Sequence, residues 1–172
     1  MYKRKYTGKG IGVAVLDTGI FPHIDFGRRI LAFCDFTEGK SGPYDDNGHG
    51  THVSGILGGD GTASQGRYKG AAPGCGIVAL KVLDRFGNGS REDVLQAFQW
   101  IEDFGKIYNI RIVNISVGTT SRSMNEQTDL LAGVEQLWDK GFTVVAAAGN
   151  QGPGDGTVTA PGSSRKIITV GS

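Results

Sequence analysis

Cysteine is scarce. Cys34 and Cys75 are too few for a disulfide framework, and no Cys-x-x-Cys pair offers a metal site, so both read as free thiols. An excess of one charge is also missing. The 18 Lys and Arg residues meet 17 Asp and Glu, for a net charge of +1. Such a balance gives no electrostatic footprint for nucleic acid or an anionic membrane. No apolar run approaches the roughly 18 residues of a membrane span, and no hydrophobic signal region follows the basic start MYKRKYTGKG. Nucleic acid and membrane are therefore not expected as partners. What the chain has in excess is glycine, 29 of 172 residues, spread over turns and element ends where backbone must bend or approach closely. With 38% hydrophobic residues, a chain of this length can bury a real core.

Short apolar runs rich in β-branched residues read as buried strands at 11–16, 77–83, 112–117, 142–148 and 167–170, with 28–33 a weaker sixth. Near-continuous apolar strands suit a parallel sheet covered on both faces. Helical patterns lie between them. Ser90 and Asp93 make a capping-box-like start, and Val94, Ala97, Phe98, Ile101 and Phe104 then share one face. Leu130, Leu131, Val134, Leu137 and Trp138 mark another helix, stopped by Gly141. A shorter helix is expected from His49 to about Leu57. Alternation of strand and helix predicts an open α/β sandwich with right-handed crossovers.

In such sheets ligands bind beyond the carboxyl ends of the strands. Asp17, in VAVLDTGI, ends the first strand, and Gly19 lets the chain turn away. Asp-Thr-Gly is also how half of an aspartic-protease site reads. That chemistry needs two carboxylates sharing a proton, and the chain has no second Asp-Thr-Gly or Asp-Ser-Gly. In DDNGHGTHVSG, residues 45–55, His49 lies between two glycines at a helix start. With Asp17 on its Nδ1 side the imidazole would be held in one tautomer, leaving Nε2 to take a proton from a nucleophile. His52 does not complete a zinc-hydrolase HExxH pattern, because Gly50 and Thr51 supply no glutamate; no catalytic metal is expected. The glycine-rich GGDGTASQG, residues 58–66, lacks the lysine of a phosphate loop.

VAVLDTGI, NGHGTHVSG, NISVG at 114–118 and AAAGN at 146–150, in that order, resemble the subtilisin-like serine proteases, the subtilases. APGCGIVALKVL, residues 72–83, resembles the segment leading into that family's central strand. The resemblance implies a three-layer α/β sandwich, with a mainly parallel sheet flanked by helices. It implies a serine-type endopeptidase acting on peptide or protein substrates through an Asp-His-Ser triad. Asp17 would be the triad acid, His49 the general base and Asn150 the oxyanion-hole amide. Ser116, Val117 and Gly118 would form the strand that pairs with substrate backbone. Gly118, Ala148 and Gly149 would line the primary specificity pocket. No cofactor is required. Asp25 matches a position that can ligate a structural calcium ion in the family, but the loop at 58–66 lacks the family's asparagine-rich calcium pattern and does not support one.

The triad also needs a serine, which in this family follows AAAGN within a Gly-Thr-Ser-Met-Ala type motif. No such motif is present. Ser64 precedes the substrate strand, and Ser163 and Ser164 fall in a segment of variable loop residues; none is assigned as the nucleophile. Residues 1–172 therefore read as one partial catalytic domain, the N-terminal two thirds, without a propeptide before YKRKYTGKG. A propeptide would be a partner in the full-length protein. The expectation is an inactive isolated chain. The rival readings are a non-catalytic peptide-binding module of the same fold, or one part of a split protease.

Overall fold

The computed structural model describes residues 6–118 and 124–171. Among these residues are six strands and three α-helices. The strands are β1 (Gly12–Asp17), β2 (Ile30–Asp35), β3 (Gly76–Lys81), β4 (Ile110–Ile115), β5 (Thr143–Ala147) and β6 (Ile168–Val170). The helices are α1 (His49–Gly58), α2 (Arg91–Phe104) and α3 (Met124–Asp139). The strands form one sheet in the order β2-β3-β1-β4-β5-β6, every neighbouring pair parallel. The carboxyl ends of all six strands therefore share one edge of the sheet.

The alternation of side chains along each strand builds a core on each face. Ala14, Leu16, Val78, Leu80, Val113 and Ile115 point to one side, under Val94, Phe98 and Ile101 of α2 and Val134 and Leu137 of α3. Val13, Val15, Ile77 and Ala79 point to the other, where Val53 and Leu57 of α1 pack. This is the three-layer sandwich that the sequence predicts. The capping box is formed, with the Ser90 hydroxyl accepting from the Asp93 amide at 3.0 Å and the Asp93 carboxylate accepting from the Ser90 amide at 3.3 Å. Gly141 follows α3 with φ +91°, the left-handed conformation that a helix stop uses.

Three details differ from the sequence reading. Phe104 is 41% exposed rather than part of the α2 core face, because at the last turn it packs on the Trp100 ring, 5.0 Å away. Ser116 and Val117 lie beyond β4, which begins and ends two residues earlier than its apolar run suggests. Ile168 and Val170 are exposed, because β6 is the outermost strand of the described sheet and has one neighbour only.

Candidate active site

β1 is central, so its last residue is covered from all sides, and Asp17 is 1% exposed. Its Oδ1 accepts from the Thr18 amide at 2.7 Å and lies 2.7 Å from His49 Nδ1. A carboxylate can only accept there, so in the neutral imidazole Nδ1 carries the proton and Nε2 the lone pair. Among the described residues, the Asp17 Oδ2 is buried without a hydrogen-bond partner. The His49 side chain, by contrast, is about half exposed. The pair thus joins a buried charge to a ring that reaches solvent.

Backbone packing brings the two together. His49 is the first residue of α1, and Gly50 lets that helix start touch β1. A Cβ on Gly50 would overlap the Gly19 carbonyl and stand 3.1 Å from the Asp17 Cβ. Gly19 itself has φ +120°, and a Cβ there would overlap the Tyr44 carbonyl. Gly19 and Gly50 are thus contact surfaces between the two segments.

Two charged residues that the motifs did not single out hold this arrangement. Asp45 Oδ1 accepts from the Thr18 hydroxyl at 2.9 Å and from the amides of Asn47 and Gly48. Its Oδ2 accepts from the Thr51 amide at 2.9 Å and hydroxyl at 2.5 Å. Burial pushes the Asp45 carboxyl up, but the hydrogen bonds from Thr51, Gly48 and Thr18 overcome that and bring its pKa to about 2. Thr18 in turn accepts from the Gly50 amide at 2.9 Å, so Asp45 ties the residue after Asp17 to the residue after His49. Lys81, paired with Asp17 in the β1–β3 ladder, is fully buried. Its Nζ donates to the carbonyls of Thr18 and Leu83 and to Asp46 Oδ1, at 2.8, 2.7 and 2.8 Å, beneath the Tyr44 ring. The sequence carries a signal for Lys81, a lysine inside the apolar run IVALKVL.

The remaining predicted residues collect at the same strand ends. The Ser116 amide donates to the Leu16 carbonyl at 3.3 Å, and its hydroxyl accepts from Asn114 Nδ2 at 3.0 Å. Ser116 and Gly118 follow β4, while Ala148, Gly149 and Asn150 follow β5, the next strand over. Gly118 and Gly149 approach each other, a Cβ on the first lying 3.8 Å from the Cα of the second. Both back onto Thr159, whose buried hydroxyl oxygen has no hydrogen-bond partner among the described residues. Val117 is buried, and the Ala148 backbone is bonded within the chain to Val170 and Thr159. Asn150 is exposed. Among the described residues, no serine hydroxyl bonds to the His49 ring. Ser164 donates to Glu135 at 2.8 Å, and Ser64 donates to the Gly61 carbonyl at 3.0 Å. His52 lines a different cleft, of about 570 Å³, with His23, Phe26, Ile56 and Tyr68. No described helix is long and apolar enough to cross a membrane.

Residues 8–172 match the subtilase family. The chain is 43% identical over 171 residues to the serine protease AprX of Bacillus subtilis (strain 168), covering 96% of this chain and 39% of that protein. It is 34% identical over 171 residues to subtilisin Savinase of Lederbergia lenta, covering 99% of this chain and 58% of that protein. Among solved structures, a cold-adapted subtilisin-like serine proteinase superposes with a TM-score of 0.81 at 28% identity, over 98% of this chain and 57% of the other. The chain spans less than two thirds of the length of each of these relatives.

Proposed function

The chain belongs to the subtilase family, and from that premise we propose that it supplies the acid, the base and part of the substrate cleft of a serine endopeptidase. The observation that carries this reading is the 2.7 Å contact between buried Asp17 and half-exposed His49. A serine from outside these 172 residues attacks the scissile carbonyl. His49 Nε2 takes its proton as the C–O bond forms, then passes that proton to the leaving amine as the C–N bond breaks. Water repeats the sequence to release the acyl group.

Asp17 holds the imidazole in the tautomer that leaves Nε2 basic. It also stabilises the imidazolium that forms. A carboxylate that is buried with one oxygen unpartnered gains strongly from a positive charge beside it. The Asn150 side-chain amide donates to the developing oxyanion, and loss of such a donor costs about 10²–10³ in kcat. Residues 116–118 add a substrate peptide as a further strand, and its side chain enters beside Gly118, Ala148 and Gly149.

Peptide hydrolysis by the full-length protein tests the proposal. Asp17→Asn is expected to lower kcat by about 10⁴-fold through the wrong tautomer. His49→Ala is expected to cost on the order of 10⁶, the figure measured for the base of subtilisin. The 172-residue chain, shown folded by circular dichroism, should turn over no peptide. Near-wild-type turnover by either variant, or turnover by the short chain, would refute the assignment.

A further inference from the structure

In the subtilases a calcium-binding loop often follows the helix that carries the base, and Asp25 matches a position that can ligate calcium. Calcium takes six to eight oxygens, several of them carboxylate. The residues here do not fit that demand. Asp25 Oδ1 already accepts from the Ala63 amide at 2.6 Å. Asp60 Oδ1 is taken by the Thr62 amide and hydroxyl, at 2.9 and 2.6 Å. Among the described residues, no group of three or more His, Cys, Asp or Glu side chains is placed to hold a metal.

Oxygens do converge at this place, but on an arginine. The Arg29 guanidinium donates from Nη1 to the carbonyls of Gly58, at 2.5 Å, and Cys75, at 3.1 Å. From Nη2 it donates to the Asp25 carbonyl, and the Asp60 carboxylate lies 3.7 Å away. Gly58 is the last residue of α1, Cys75 precedes β3, and Asp25 lies in the short 3-10 turn ahead of β2. Three separate segments thus present oxygen to one fixed cation. The loop after α1 is anchored to the same point, since the Asp60 amide donates to the Asp25 carbonyl at 3.0 Å and the Gly70 amide to the Gly59 carbonyl at 2.8 Å.

We infer that Arg29 is the resident cation of this site, and that the segment from Gly58 to Gly70 keeps its conformation without calcium. A guanidinium is charged at all working pH values and presents donors in a planar fork, so it can bridge carbonyls that a spherical ion would otherwise gather. The inference concerns only this loop and does not depend on the peptidase reading.

Hydrogen exchange of the full-length protein, followed at the Asp60 and Ala63 amides, tests it. Protection of both amides should be the same in EGTA as in millimolar calcium. Arg29→Met should speed their exchange by about 10- to 100-fold, the scale of losing charge-assisted hydrogen bonds. Arg29→Lys, which keeps the charge but not the fork, should fall between. Wild-type protection that collapses in EGTA and returns with calcium would overturn the inference, as would an Arg29→Met variant that exchanges like wild type. Should the methionine variant fail to fold, the wild-type comparison in EGTA and calcium still decides.

Discussion

Asp45 receives five hydrogen bonds, from Thr18, Asn47, Gly48 and the amide and hydroxyl of Thr51. Each favours the ionised carboxylate, which is why its pKa falls to about 2 despite burial. A depressed carboxyl contributes stability above its unfolded pKa, near 3.9 for aspartate, and loses it as pH falls through the folded value. Thermal melts from about pH 4 to about pH 2 should therefore show a Tm decline that Asp45→Asn flattens. Lys81 leads to a second expectation. Lys81→Met leaves two carbonyls and Asp46 without their donor, and urea denaturation should report a loss of about 3 kcal/mol. That Asp17 and His49 lie together was legible because both stand in motifs whose neighbours share the pattern. Asp45 stands in the same stretch, DDNGHG, but its role was not legible, because Thr18, 27 residues away, reaches it only through the fold. Arg29 could not be assigned from its neighbours, since two of its three carbonyl partners, Gly58 and Cys75, lie 29 and 46 residues away in the chain.

At the scale of elements, the position of α1 decides whether Asp17 and His49 meet. Gly50 sits against both Gly19 and Asp17, so the helix cannot keep its distance from β1 if a side chain is added. Gly50→Ala should push α1 away and lengthen the Asp17–His49 hydrogen bond. In NMR spectra the His49 Nδ1 proton is expected to lose its downfield position, with α1 still helical; an unchanged resonance would show that the interface tolerates the methyl group. The helices themselves were legible because apolar spacing and caps are local features. Ser90 with Asp93 and Gly141 marked ends that the structure has. Strand identity was also local, but strand order was not. That is why the exposed edge residues Ile168 and Val170 read as buried, and why Phe104, facing Trp100 across one helical turn, read as core.

For the whole molecule, the parallel sheet sets the function that can be built on it. Because every pairing is parallel, the ends of β1, β4 and β5 lie along one edge, and the residues predicted from three distant motifs gather there. Sequence order of the motifs was enough to anticipate the fold, while the supporting charges under Thr18 emerged only from the folded chain. The central claim is that Asp17 and His49 activate a serine from outside these 172 residues. Labelling the full-length protein with a fluorophosphonate probe, then mapping the modified peptide by mass spectrometry, tests it most directly. The account predicts one labelled serine outside residues 1–172, with labelling abolished by His49→Ala. Label on a serine within these residues, or labelling that survives His49→Ala, would contradict it.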